Sequence, residues 1–101
     1  MSDVASFHVP LRIPPSHPSL PGHFPGRPVV PGVVILDAVH QAIEAVAGPL
    51  PLLRLPQVKF VQPLLPDEQA DIVIESPAPG RWRFRVLRHE ALLASGEISA
   101  A

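Results

Sequence analysis

The chain has 101 residues, with no cysteine, one Trp, four Phe and no Tyr, and eight Lys/Arg against nine Asp/Glu give a net charge of −1. This is the size of one small domain spanning residues 1–101. The absence of cysteine removes disulfide scaffolds, thiolate metal sites and cysteine nucleophiles, and the charge balance argues against binding nucleic acid through bulk charge. Hydrophobic residues make up 47% of the chain. A domain this small buries only about 60–70% of its unfolded surface, so the apolar excess predicts an oligomer.

The start, Met1-Ser2-Asp3, opens with an acid and shows no basic n-region followed by an apolar run of signal-peptide length. The uncharged run near residues 29–36 is too short to span a bilayer and contains Pro31. These features predict a soluble, cytoplasmic protein with no membrane partner.

Proline punctuates the chain unevenly. Eight of the 15 prolines fall between Pro10 and Pro31, seven between Pro49 and Pro79, and none in 32–48 or 80–101. Because proline is excluded from helix interiors and sheet centres, the proline-free windows are the places for the main helix and a terminal hairpin. In chain order, residues 6–13 alternate, with Phe7, Val9, Leu11 and Ile13 on one side. That pattern predicts a half-buried strand near an edge, since Pro10 lacks a donor. Pro14 to Pro31 reads as a loop of fixed, largely extended shape.

Gly32 to Ala47 reads as a helix, apolar nearly all round and stopped by Gly48-Pro49, and therefore buried on most of its circumference. Leu53 and Leu55 then share one phase and Val58 and Phe60 the other, which predicts a bulge at Pro56-Gln57. Ile72 and Ile74 anchor a third strand. Ser76 to Gly80 turns into Arg81–Leu87, where Trp82, Phe84 and Val86 alternate with arginines. After the turn at Arg88-His89-Glu90, Leu92, Ala94, Gly96 and Ile98 form one face of a last strand. An antiparallel sheet wrapped around one long central helix satisfies the pattern, an α+β layout.

The helix carries one polar stripe, Asp37, His40, Gln41 and Glu44, at i, i+3, i+4 and i+7. The stripe is either a plain solvent face, or a face on which Asp37 and Gln41 meet a site while Glu44 trails toward water. Of the five histidines, His17 and His23 are too poorly supported by a third ligand to suggest a metal. His23 stands apart because Gly22-His-Phe-Pro-Gly26 constrains the backbone on both sides, as suits a preorganised base.

The run GHFPGRPVVPGVVILDAVHQA, Gly22 to Ala42, resembles the signature of the hotdog-fold 3-hydroxyacyl-(acyl-carrier-protein) dehydratases of the FabA/FabZ class. That signature comprises GHFPG, a Pro-Gly opening the central helix, an acid 14 residues after the histidine and a Gln four residues later. His23, Pro31-Gly32, Asp37 and Gln41 stand at those positions. VKFVQPLLPDEQ, Val58 to Gln69, resembles the family's strand-turn segment. The acid is Asp, as in the FabA-like branch, where the FabZ-like branch has Glu. The chain is also short at its amino end, as in stand-alone relatives of aryl-polyene-type lipid pathways.

The resemblance implies a hotdog fold and loss of water from a (3R)-hydroxyacyl thioester held on acyl carrier protein, with no metal or organic cofactor. His23 is then the base for the α-proton. Asp37 donates to, or orients, the leaving hydroxyl, held by Gln41. To donate, the carboxyl must stay protonated, which needs the apolar setting that the helix is expected to give. The Gly32 and Val33 backbone N–H groups at the helix's amino end would polarise the thioester carbonyl.

In this family the histidine and acid come from opposite subunits, so a homodimer with two interface sites is implied. Phe24, Val33, Leu36 and Phe60 are candidates for lining an acyl tunnel. Arg81, Arg83, Arg85 and Arg88 are either a solvated strand face or a docking surface for acidic carrier protein or its phosphopantetheine. Trp82 is in phase with buried positions, against stacking on RNA. Two rivals remain: a hotdog acyl thioesterase, and a noncatalytic acyl-binding subunit.

Overall fold

In the computed structural model, residues 5–16, 29–50 and 52–100 are described. The elements are β1 (Ala5–Leu11), α1 (Gly32–Ala47), β2 (Leu53–Phe60), β3 (Ala70–Ala78), β4 (Arg81–Arg88) and β5 (Ala91–Ala100). The strands form one antiparallel sheet in the order β1-β3-β4-β5-β2, with α1 packed on one face. The α+β layout and the helix window are as the prolines predict. Pro10 and Pro56 both lie in edge strands, where a missing N–H breaks no interior ladder. The phase switch at Pro56-Gln57 is a register shift between Arg54 and Gln57 against β5. Ala78 and Arg81 pair across Pro79-Gly80, where Gly80 takes a φ of 74° that the tight turn requires.

The core lies between α1 and the sheet. Val34, Ile35, Val39, Ala42 and Ile43 meet Ile72, Ile74, Trp82, Phe84, Val86 and Ile98. Trp82 is thus a core residue.

Two expectations need correction. The helix is buried along one side only, not most of its circumference: Val33 and Val46 are 71% and 67% exposed. The sheet covers one face, and the apolar residues opposite have no cover within the described chain. In β5 the core residue is Leu93, not Leu92. Val86 pairs with Ala94 but Leu87 with Leu92, so Leu93 is the extra residue of a bulge. Its side chain is fully buried, and its carbonyl accepts the Val61 and Gln62 N–H groups at 2.8 and 3.2 Å. The bulge therefore fastens the start of the β2–β3 turn to β5.

Candidate active site

Pro31 caps α1 with extended backbone and no side-chain hydrogen bond, and the first turn holds no acidic residue. The first intrahelical donor is Val34, whose N–H reaches the Pro31 carbonyl at 3.0 Å. Gly32 and Val33 therefore present N–H groups at an amino end that no carboxylate of its own turn neutralises. Gly32 borders a cavity of about 540 Å³ lined by Val29, Pro31, Ile35, Phe60 and Leu64 among others.

Phe60 sets the clearance there. Its ring atom Cζ lies 2.7 Å from where a Cβ on Gly32 would stand. Glycine at position 32 is what lets the ring approach the helix end. Because Phe60 is 53% exposed, its ring can swing aside. Gly32→Ala is therefore expected to change stability by less than about 1 kcal/mol, helped by alanine's helix preference. If the Gly32 N–H polarises a thioester carbonyl, as the family resemblance implies, the same change should cost about 10- to 100-fold in turnover, because the displaced ring crowds that carbonyl. Parallel thermal unfolding and steady-state kinetics check this.

Asp37 and Gln41 meet as their i, i+4 spacing requires: Gln41 Nε2 donates to Asp37 Oδ2 at 2.7 Å. Both are exposed. Asp37 borders a cleft of about 290 Å³ between α1 and edge strand β2, with Val33, Leu36, His40, Leu53, Leu55 and Ile98. The expected shielding of the acid by its own helix is not found. The neighbours are apolar, as expected, but α1 rests on the sheet by its other face and leaves this cleft open within the chain.

The rest of the polar stripe has a different task. Glu44 Oε2 accepts the Leu50 N–H at 2.8 Å, and His40 Nε2 lies 3.1 Å from the Leu50 carbonyl. These bonds bind the Gly48–Leu50 return to the helix, so Glu44 does not simply trail into water.

His23 and Phe24 lie outside the described residues, as does His17. Val33, Leu36 and Phe60 do not line one cavity: Val33 and Leu36 border the Asp37 cleft, and Phe60 the pocket at the helix end. Arg81, Arg83 and Arg85 are exposed on the side of β4 opposite Trp82, Phe84 and Val86, so the sheet separates them from Asp37. Arg83 and Arg85 face Glu97 and Glu75 at 3.9 Å.

Arg88 stands apart from that ladder, because its guanidinium is already engaged within the chain. Nη1 donates to Glu68 Oε1 at 2.8 Å and to the Pro63 carbonyl at 3.1 Å, and Nη2 to Gln62 Oε1 at 3.3 Å. The Leu65 amide foremost, and then Arg88, hold the Glu68 carboxyl below the usual carboxylate range, against partial burial. Glu68 therefore contributes stability that is complete above its unfolded value near ~4.3 and is lost as pH falls through the lower folded value. Glu68→Gln should flatten the acid side of a stability-versus-pH curve below about pH 5 and leave its slope at neutral pH unchanged.

Among the described residues, no group of three or more His, Asp or Glu is placed to hold a metal, and no helix is long and apolar enough to cross a membrane.

Comparison with solved structures gives the fold class. The chain superposes on the dehydratase heterocomplex ApeI:P from Xenorhabdus doucetiae with a TM-score of 0.79 at 24% identity, covering 93% of this chain and 85% of that one. It also superposes on the fluoroacetyl-CoA thioesterase FlK with a TM-score of 0.63 at 16% identity, covering 98% and 87%. One helix laid on a five-stranded antiparallel sheet is the hotdog fold. A family model described as ApeI-like, ApeI dehydratase, matches residues 2–97. The chain belongs to the ApeI-like dehydratase family. A curated relative, the 3-hydroxyacyl-(acyl-carrier-protein) dehydratase FabZ of Verminephrobacter eiseniae (strain EF01-2), is 36% identical over 85 residues, 71% of this chain. The matched region spans 57% of that relative's length.

Proposed function

We propose that the chain removes water from a (3R)-hydroxyacyl group carried as a thioester on acyl carrier protein, giving the trans-2-enoyl thioester, and that it works in the cytoplasm as a homodimer with two sites. His23 takes a proton from the α-carbon, and the electron pair left behind becomes the α,β double bond as the β-carbon–oxygen bond breaks. Asp37 gives its proton to the departing hydroxyl, so that water leaves. The Gly32 and Val33 N–H groups carry the charge that gathers on the thioester oxygen. Gln41 fixes the Asp37 carboxyl. The elimination is redox-neutral and balances without a cofactor.

The observation that carries this reading is the Asp37–Gln41 pair held one turn beyond an uncapped helix end. The family match and the Gly22–Gly26 motif 14 residues ahead of the acid add to it. Support for a dimer comes from the apolar side of α1 that the described residues leave uncovered beside edge strand β2, where Val33 and Leu55 flank Asp37. A second copy closing that cleft would shield the acid and could bring its own His23 to it. The deciding assay incubates the purified protein with a (3R)-hydroxyacyl-pantetheine thioester and follows both the enoyl chromophore and free thiol. Dehydration gives the chromophore with no thiol. Thiol release would establish the thioesterase reading, and neither signal the noncatalytic one.

A further inference from the structure

Four separate parts of the chain converge on the nine-residue turn between β2 and β3, Val61 to Gln69: the segment after β1, the entry to α1, the end of β4 and the bulge of β5. The Asp67 N–H donates to the Ile13 carbonyl at 2.7 Å. The Val30 N–H donates to the Leu64 carbonyl at 2.8 Å. Arg12 adds an ion pair to Asp67, Nη2 to Oδ1 at 2.6 Å. Ile13 and Val30 are 17 positions apart, and His23 lies between them in the sequence. Val30 also leads directly into Pro31 and Gly32, the amino end of α1. One turn therefore holds the entry to the helix and, three residues further on, the strand end from which the chain departs.

The turn needs fixing of its own, because Asp67 takes a left-handed φ of 69° and Val61 to Gln69 form no strand. Its first residues hang on the Leu93 carbonyl of β5. Beyond them Arg88, at the end of β4, spans the turn with one planar guanidinium, which grips Gln62, Pro63 and Glu68 at once. Glu68 in turn accepts the Leu65 N–H at 2.9 Å. With a side chain only 25% exposed and its donors directed at three residues, Arg88 is a fixed strut rather than a free surface cation.

We propose that Arg88 is a positioning residue of the site: by clamping the β2–β3 turn it holds the Gly32 and Val33 N–H groups, and Ile13 and Val30 on either side of His23 in the sequence, in one register. This rests on the dehydratase reading. Arg88 touches no substrate. It acts through Pro63 and Leu64 on Val30, and through Glu68 and the turn on Asp67 and Ile13. Misplacement near 1 Å is enough to cost a reaction of this kind about a hundredfold.

The test compares wild type, Arg88→Met and Arg88→Lys by steady-state kinetics, thermal unfolding and amide hydrogen exchange. In the folded Arg88→Met variant, kcat should fall about tenfold or more with KM within about twofold. The Val30 and Asp67 amides should exchange at least about tenfold faster, while the Phe84 amide in mid-β4 is unchanged. Arg88→Lys keeps a charge for Glu68 but loses the three-way grip, so it should recover kcat in part. A turn with a merely structural role predicts lower thermal stability with wild-type kcat per folded molecule. That result, in an enzyme whose wild type turns over, overturns the inference and leaves the dehydratase reading intact. A wild type without dehydration overturns the reading instead. In that case Val30 exchange unaltered by Arg88→Met overturns the clamp as well, and accelerated exchange upholds it.

Discussion

Asp37→Asn is expected to lower dehydration by about 10²- to 10⁴-fold while leaving the protein folded, the range over which a positioned proton donor acts. The substitution is nearly isosteric and keeps an oxygen to accept the Gln41 N–H now made at 2.7 Å. Asp37 is exposed and contributes nothing to the core, so stability should move by no more than about 0.5 kcal/mol. On the proposed mechanism, what changes is the supply of a proton to the leaving hydroxyl. Turnover of a (3R)-hydroxyacyl thioester, measured beside a thermal melt, separates the two effects. A wild-type rate in Asp37→Asn would remove the acid from the mechanism and leave its helix stripe a plain solvent face.

The largest structural effect is expected at Phe84. It is 1% exposed and the largest fully buried side chain of the core. Its strand partners are Ile74 in β3 and Gly96 in β5. The ring edge lies 2.8 Å from where a Cβ on Gly96 would stand, so it fills the room that glycine leaves on the central strands. Phe84→Ala removes that volume in the middle of the sheet, where a paired backbone cannot collapse inward. The expected loss is about 3–5 kcal/mol. A domain of this size holds only about 5–15 kcal/mol in total, so much of the variant should be unfolded in mild urea. Urea unfolding reads the loss directly. A change under about 1 kcal/mol would mean that the core closes around the gap.

The ends of α1 were legible because Pro31 and Gly48-Pro49 bracket the one long window able to be helical. Gly48 indeed ends it with a φ of 88°. The irregularity in β2 was legible from the phase switch between Leu55 and Val58. The choice of Leu93 over Leu92 was not. Both are apolar, and a bulge exchanges their directions without altering the hydrophobic pattern. How far α1 is covered was also hidden, because an apolar stripe looks the same against a sheet or against another molecule.

At the candidate site, the Asp37–Gln41 pair follows from helix geometry alone. The partners of Arg88 do not: Gln62, Pro63 and Glu68 are 26, 25 and 20 positions away, and only the folded sheet brings them to it. Its signal in the sequence is faint. Arg88 follows Leu87, out of step with the alternation of Arg81, Arg83 and Arg85.

The shared site can be tested with two inactive proteins. His23→Ala and Asp37→Asn chains, carrying different tags and produced together, yield a purified dimer with one copy of each. If each reaction centre draws its imidazole from one subunit and its carboxyl from the other, one centre holds both defects and the other holds neither. That dimer should turn over at about half the wild-type rate although both parent homodimers are inactive. A mixed dimer as inactive as its parents would contradict a site built from two subunits.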